Sequence, residues 1–156
     1  MNTIPVPLLA LIATIATQHG LPVNLVKAIV KTESTFDTWA FRYEPAYKWL
    51  VGDKLTMTAT ERTGQMCSFG LMQVMGGVAR ESGFTGYLPQ LCDPAIGLDY
   101  GCRHLKRYYE KCANWPDTIA SYNAGSPRKV GDTYVNQGYV DRVYRAWNAF
   151  DAQEQL

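Results

Sequence analysis

The sequence has little excess charge of either sign, because 15 Lys and Arg residues stand against 14 Asp and Glu residues. No run of Lys or Arg interrupts this balance. A nucleic-acid-binding protein needs a clustered basic surface, so the composition argues against that class of protein. The 156 residues are 47% hydrophobic, which is enough for one globular domain that spans residues 1–156.

Paired metal ligands are also missing. None of the four cysteines belongs to a Cys-x-x-Cys pair, and the two histidines are far apart in the sequence, so a zinc site is not expected. Cys102 and Cys112 lie on one predicted helix, roughly 15 Å apart along its axis, so they cannot form a disulfide with each other. Two alternatives stay open: a disulfide that joins Cys67 or Cys92 to another segment, or four free thiols.

Long hydrophobic runs are absent as well. The apolar stretch at residues 7–17 is shorter than the roughly 20 residues that cross a bilayer. Residues 2–18 contain no Lys or Arg, which the start of a signal peptide requires. We interpret the stretch as a buried first helix that ends at Gly20, and we expect neither a membrane anchor nor an export signal.

The remaining pattern predicts further helices, from their capping residues and from apolar residues at helical spacing. Residues 34–69 have no sustained periodicity and are expected to form a long loop, in which short helices are allowed. The fold class is therefore mostly α, a compact helical domain with at most a small hairpin in the 34–69 loop. The helices are expected after Pro22, around residues 78–82 behind a break at Gly76-Gly77, from Asp93-Pro94 to about Lys111, from Pro116 to Gly125, and around residues 140–147.

Glu33 is the most informative carboxylate, because helical spacing places it on the same face as four apolar residues. A carboxyl group on that face loses hydration, and it also lies near the negative end of the helix dipole. Both effects favour the neutral acid and predict a raised pKa. An acid that stays protonated near neutral pH can donate a proton to a glycosidic oxygen. The four apolar residues are Leu25, Val26, Ile29 and Val30.

Four segments, taken together, resemble the lytic transglycosylase (SLT) domain of the goose-type lysozyme superfamily. The resemblance extends over residues 8–148, and the segments follow in the family's order at fitting spacing. The segments are Glu33-Ser34-Thr35-Phe36, Ser68-Phe69-Gly70-Leu71-Met72-Gln73, Ser121-Tyr122-Asn123-Ala124-Gly125 and Gly138-Tyr139-Val140-Asp141-Arg142-Val143.

The resemblance implies a compact, lysozyme-like helical fold and a peptidoglycan substrate. It makes Glu33 the catalytic residue, acting first as an acid and then as a base, without a metal or other cofactor. The bond cleaved would join MurNAc to GlcNAc, and the product would be 1,6-anhydro-MurNAc. The residues expected to bind the glycan strand are Ser68, Gly70, Leu71, Met72, Gln73, Tyr122, Asn123 and Tyr139.

A second catalytic carboxylate is missing from the motif positions. Residues 62–69 contain no Asp or Glu, although most glycosidases use two carboxylates that flank the bond. Two alternatives remain: a hydrolytic muramidase that takes its second acid from the 34–69 loop, with Asp37 and Glu44 as candidates, or a non-catalytic peptidoglycan-binding module.

Gln73 is expected either to bind a substrate amide or to hold its own loop.

The expected setting is the bacterial cell wall. A monomer that acts in the periplasm or cell wall without an export signal suits a phage endolysin, which accumulates in the cytoplasm until a holin releases it. It also suits a wall-degrading enzyme of a virion or of a secretion system. Peptidoglycan glycan strands are the expected partner in each case, with no nucleic acid and no membrane.

Overall fold

The computed structural model describes residues 5–155, and its contacts divide the chain into two compact units. Of the described residues, unit 1 contains residues 5–32 and 102–155, and unit 2 contains residues 33–101. The helices are α1 (Val6–Gln18), α2 (Val23–Ser34), α3 (Ala59–Gln65), α4 (Gly76–Glu81), α5 (Pro94–Cys112), α6 (Trp115–Ala124) and α7 (Gln137–Gln153), with a 3-10 helix at Leu88–Cys92. No helix among the described residues is long and apolar enough to cross a membrane.

Unit 1 is built from helices whose ends follow the sequence signals. The side chain of Asn114 accepts a hydrogen bond from the Asp117 amide and caps α6, and Gly125 ends that helix with a φ of 78°. A hairpin of β4 (Lys129–Val130) and β5 (Thr133–Tyr134) follows α6. Apolar side chains from α1, α2, α5 and α6 form the fully buried core, among them Ile12, Leu25, Ile29, Leu105 and Ile119.

Unit 2 contains a three-stranded antiparallel sheet in the order β1-β2-β3. Its strands are β1 (Phe41–Tyr43), β2 (Cys67–Phe69) and β3 (Val74–Met75). The register pairs Phe41 with Phe69, and Arg42 with Ser68. Since side chains alternate along a strand, these pairs lie on opposite faces of the sheet.

The mostly α fold class predicted from the sequence is confirmed, but the small strands extend further than expected. The 34–69 loop holds β1, α3 and β2, and β3 lies beyond the loop. The hairpin at residues 129–134 was not predicted, because strands of two residues are too short to show an alternating pattern.

The expected break at Gly76-Gly77 is wrong, since these two residues begin α4. Close packing explains the glycines instead. A Cβ atom on Gly76 would lie 2.2 Å from the carbonyl oxygen of Gly64, and one on Gly77 would lie 2.6 Å from the hydroxyl of Tyr47. Glycine at these positions therefore lets α4 approach neighbouring chain segments.

Candidate active site

Glu33 lies in the last turn of α2, as its sequence spacing predicted. The four apolar residues on its face, Leu25, Val26, Ile29 and Val30, are fully buried. Glu33 itself is half-buried, so its side chain is more exposed than the position on a buried stripe suggested. The buried stripe therefore ends one turn before the carboxylate, which leaves this side chain access to solvent.

The two residues that follow the end of α2 have left-handed backbone conformations. Thr35 has a φ of 53° and Phe36 a φ of 64°. Neither residue is glycine, and a β-branched residue such as Thr is strongly disfavoured in this region. Each such residue costs on the order of 1–3 kcal/mol, and strain of this kind is concentrated at functional sites. The chain thus makes a strained turn that begins two residues after Glu33.

Ser34 fixes the end of α2 to the second motif within unit 2. Its hydroxyl donates a hydrogen bond of 2.8 Å to the carbonyl oxygen of Leu71. The residue beside Glu33 is thereby held against the loop of residues 70–73. Sequence reasoning assigned Ser34 no separate role, since nothing in the sequence shows which backbone carbonyl lies within its reach.

Gln73 uses its side-chain amide to hold that loop. Its Nε2 donates to the carbonyl oxygens of Ala40 and Gly70, both at 3.0 Å, and its Oε1 accepts from the Ser68 hydroxyl at 2.9 Å. The Gly70 amide also donates to the Ala40 carbonyl, at 2.7 Å. Of the two roles expected for Gln73, the structure shows the one that holds the loop. Ser68 serves the same network, and its side chain is buried.

Gly70, Leu71 and Met72 form the buried part of the loop. Gly70 has a φ of 68°, and a Cβ atom there would lie 2.5 Å from the carbonyl oxygen of Leu91. Leu71 and Met72 are buried, and the Met72 side chain packs against Gly101, where a Cβ atom would lie 2.5 Å from its sulfur. These three residues shape the loop, and their contact with a glycan strand stays a prediction.

The four carboxylates of the 34–69 loop after Glu33 all have polar partners in unit 2. Asp37 accepts a hydrogen bond of 2.9 Å from the Trp39 amide, and Glu44 forms an ion pair with Arg42. Asp53 accepts from the Leu55 amide and the Thr56 hydroxyl. Glu61 forms a bidentate ion pair with Arg80, and the hydrogen bond from that guanidinium lowers the pKa of Glu61.

The predicted site residues of unit 1 lie at the end of α6 and the start of α7. Tyr122 and Tyr139 are buried, whereas Asn123 is exposed. The Asn123 side-chain oxygen accepts a hydrogen bond of 3.0 Å from Asn136 Nδ2, which also donates to the Ala120 carbonyl oxygen. Asn136 therefore connects the end of α6 to the residue that precedes α7. Sequence reasoning missed this residue, because it lies outside the motifs.

One face of α5 holds the end of α6 at three successive turns. The His104 ring contacts the Tyr122 ring with centroids 5.2 Å apart, and the Tyr108 hydroxyl donates to the Gly125 carbonyl at 3.3 Å. One turn further, the thiol of Cys112 lies 3.7 Å from the Ser121 hydroxyl. Because these three residues of α5 are four positions apart in the sequence, their spacing predicts that they share one face of the helix.

His104 is held as a neutral ring. Arg107 Nη2 lies 3.1 Å from Nδ1, and a guanidinium only donates, so Nδ1 accepts and the ring proton is on Nε2. Burial, together with the positive charges of Arg107 and Lys111, lowers the pKa of His104 to about 3. A protonated ring would place a third positive charge beside two cations.

All four cysteines are free thiols, which decides between the two alternatives that the sequence left open. Burial raises the pKa of Cys67 and of Cys92. Within residues 5–155, no group of three or more His, Cys, Asp or Glu side chains is arranged to hold a metal ion.

The fold of this chain is found in a protein of known structure. The fold is similar to that of an inactive mutant of lytic transglycosylase Slt from Pseudomonas aeruginosa, with a TM-score of 0.54 and 21% identity over 94% of this chain. This chain spans 21% of the length of that protein, and at this identity the likeness shows the fold alone. No curated protein matches the chain.

The family is shown by a different comparison. The model of the transglycosylase SLT domain matches residues 10–138, most of the chain. The chain therefore belongs to the SLT transglycosylase domain family, and the family and lysozyme-like fold predicted from the sequence are confirmed.

Proposed function

We propose that this protein is a peptidoglycan lytic transglycosylase that cleaves the β-1,4 bond between MurNAc and GlcNAc and forms 1,6-anhydro-MurNAc. The observation that carries the proposal is the environment of Glu33. This carboxylate is half-buried at the end of a rigid helix, and Ser34 beside it is bonded to the Gly-Leu-Met-Gln loop. A general acid needs such a fixed position on a rigid element.

In this reaction Glu33 first donates its proton to the glycosidic oxygen as the bond from C1 breaks. The substrate's N-acetyl carbonyl oxygen bonds to C1 in place of a protein nucleophile. The Glu33 carboxylate then takes the proton of the MurNAc 6-hydroxyl, whose oxygen displaces the carbonyl oxygen at C1 and closes the anhydro ring. Glu33 is protonated again at the end, and no water is consumed.

The loop carboxylates support a single-acid mechanism over a hydrolytic muramidase. Asp37 holds a turn through the Trp39 amide, and Glu44 is paired with Arg42. Each contact engages one carboxylate oxygen and gives the side chain a role in holding its own segment. The alternative of a non-catalytic binding module would leave the strained turn after Glu33 without a function.

We further propose that Ser68, Gly70, Leu71, Met72, Gln73, Tyr122, Asn123 and Tyr139 bind the glycan strand. The protein acts in this proposal as a monomer on the cell wall, delivered as a phage endolysin through a holin or by a virion or secretion system. Neither a metal nor another cofactor takes part. The raised pKa expected for Glu33 stays a prediction.

The test of the catalytic assignment is replacement of Glu33 by glutamine. Glu33→Gln keeps the size and hydrogen-bonding groups of the side chain but cannot donate a proton as a carboxylic acid does. We expect a loss of at least about 100-fold in the rate of release of soluble muropeptides from purified peptidoglycan. Asp37→Asn and Glu44→Gln are the matched controls, and each should keep most of the rate.

The products distinguish the lytic transglycosylase reaction from hydrolysis by a muramidase. Mass spectrometry of the digest should show anhydro ends, which are lighter than reducing ends by one water. Reducing MurNAc ends together with an inactive Asp37 or Glu44 variant would replace the proposal by a muramidase. A Glu33→Gln variant that digests peptidoglycan at the rate of the wild type would refute the assignment of Glu33.

The substrate supplies a second test of the same mechanism. Peptidoglycan from which the MurNAc acetyl groups have been removed lacks the carbonyl that bonds to C1, so it should be cleaved very slowly. Glycan O-acetylated at the MurNAc 6-position lacks the hydroxyl that closes the ring and should also resist. Rapid cleavage of either polymer with reducing ends would contradict the single-acid mechanism.

A further inference from the structure

The strand β2 presents two different faces within unit 2. The Ser68 side chain is bonded to Gln73 in the loop of the candidate site. Its neighbours Cys67 and Phe69 point to the opposite face, because side chains alternate along a strand. There they line a cavity of about 540 Å³, a volume within the range of about 300–1,000 Å³ typical of small-molecule sites. We call this the α3 cavity; Phe41, Glu61, Phe69, Arg80, Tyr87 and Leu88 are among its lining residues.

Aromatic rings form the open part of this cavity, and apolar side chains form its inner part. Phe41 and Tyr87 are 61% and 82% exposed, whereas Phe69 and Leu88 are buried. The Phe41 ring is fixed against Phe69, with centroids 5.4 Å apart. Two rings are thus offered to solvent beside an apolar recess, which is an arrangement that a flat apolar surface of a ligand can cover.

The charged groups of the α3 cavity neutralise each other. Arg80 donates from Nε and Nη2 to the two carboxylate oxygens of Glu61 at 2.7 and 2.9 Å. Its Nη1 donates to the carbonyl oxygens of Phe84 and Gly86. An anionic ligand such as a phosphate would find no uncompensated cation in this lining. The lining therefore fits a neutral ligand.

Polar groups in the wall select among neutral ligands. Thr60 and Thr63 of α3 also line the cavity and carry hydroxyl groups. A fully apolar occupant, such as a hydrophobic side chain of a partner protein, would remove water from the Glu61–Arg80 pair and offer it no hydrogen bond, which is costly. A pyranose ring has an apolar face that stacks on aromatic rings and hydroxyl groups around its edge that pair with polar groups.

We propose that the α3 cavity is a second saccharide-binding site, which takes an N-acetylhexosamine residue of a glycan strand on the face of β2 opposite Ser68. The proposal rests on the proposed function for its choice of glycan. A sugar bound in the α3 cavity is separated from the Ser68–Gln73 loop by the sheet itself. Its role is to hold the enzyme on the polymer and not to break a bond.

The experiment measures binding without turnover. All variants are made in the Glu33→Gln background, and their binding to purified peptidoglycan is measured by co-sedimentation. Phe41→Ala combined with Tyr87→Ala should raise the dissociation constant roughly tenfold, since two stacking surfaces are lost. Trp49→Ala is the matched control, because Trp49 is 73% exposed and does not line the cavity; it should bind as the parent does. Far-UV circular dichroism checks that each variant is folded.

A soluble probe locates the site. Titration of ¹⁵N-labelled Glu33→Gln protein with the β-1,4-linked GlcNAc tetramer should shift amide signals of α3, Tyr87 and Leu88. Unchanged polymer binding by the double variant, or probe-induced shifts confined to residues 33–36 and 68–73, would overturn the proposal. Loss of polymer binding together with cavity shifts would support it.

The outcome is independent of whether catalysis is confirmed. If the wild-type protein releases anhydro products but the double variant binds peptidoglycan normally, the second site fails alone. If the wild type releases no products but the cavity still shifts with the tetramer, the proposed reaction fails and the saccharide site stands.

Discussion

Acidification should destabilise the protein through His104, because the folded chain holds this ring neutral. In the unfolded chain the ring takes up a proton near its ordinary pKa of 6.5, whereas in the folded chain its pKa is about 3. Between these values the unfolded state binds more protons than the folded state. The stabilisation is therefore fully present above pH 6.5 and is lost as the pH falls through the window from 6.5 to 3.

The two pKa values give the size of the effect. Between pH 7.5 and pH 4.5 they correspond to a loss of about 2.6 kcal/mol in the free energy of unfolding. The side chain is half-buried, so solvent screens the charge of the protonated ring in part. We therefore expect a loss of roughly 1–2 kcal/mol from this residue.

Urea unfolding followed by far-UV circular dichroism at the two pH values measures the loss. The control is His104→Gln, since glutamine keeps an acceptor for Arg107 and does not titrate. Carboxylates titrate in both proteins, so their contribution cancels in the difference. Wild type should lose roughly 1–2 kcal/mol more than His104→Gln on acidification. An equal loss in the two proteins would show that His104 is not held neutral, and the account of its environment would be wrong.

Two further predictions concern left-handed residues. Thr35→Asn should raise the free energy of unfolding by about 1 kcal/mol, because Asn tolerates a positive φ better than a β-branched residue. Thermal unfolding measures this gain. The control is Thr85→Asn, which should bring no gain because Thr85 is an exposed residue without a positive φ. Gly70→Ala should cost about 2 kcal/mol or more, through the left-handed backbone and the contact of its Cβ with Leu91. Gly131→Ala is the control, because Gly131 also has a positive φ but a Cβ atom there would have no contact within 4 Å. Equal losses of unfolding free energy in the two glycine variants would refute the close packing at Gly70.

Helix positions could be predicted from the sequence because capping residues and periodicity act locally. Asp93 accepts hydrogen bonds from the amides of Ala95 and Ile96 at the start of α5, and Gly125 ends α6, as expected. The short strands could not be predicted, since their partners lie far apart in the sequence. Phe41 pairs with Phe69 across 28 positions, and strands of two or three residues carry no pattern of their own.

The candidate site also combines features that the sequence predicts with contacts that exist only in the folded chain. The motifs that contain Glu33, Gln73 and Tyr122 were identified from the sequence, because they consist of contiguous residues in a fixed order. The roles of Ser34, Asn136 and His104 could not be predicted, because each of these residues acts on a group in another segment. Their roles follow from a hydrogen bond or a ring contact that exists only in the folded chain.

The family, most of the helices and the face of α2 that carries Glu33 follow from the sequence, since these depend on local propensity, on helical spacing and on contiguous motifs. Only the folded chain shows how far Glu33 is exposed, which carbonyl oxygen the Gln73 amide binds and which guanidinium pairs with Glu61. It also brings Phe41 and Tyr87 to one cavity. Burial, hydrogen bonding and pKa depend on atoms brought together from distant parts of the chain. Such quantities have no value until the chain is folded.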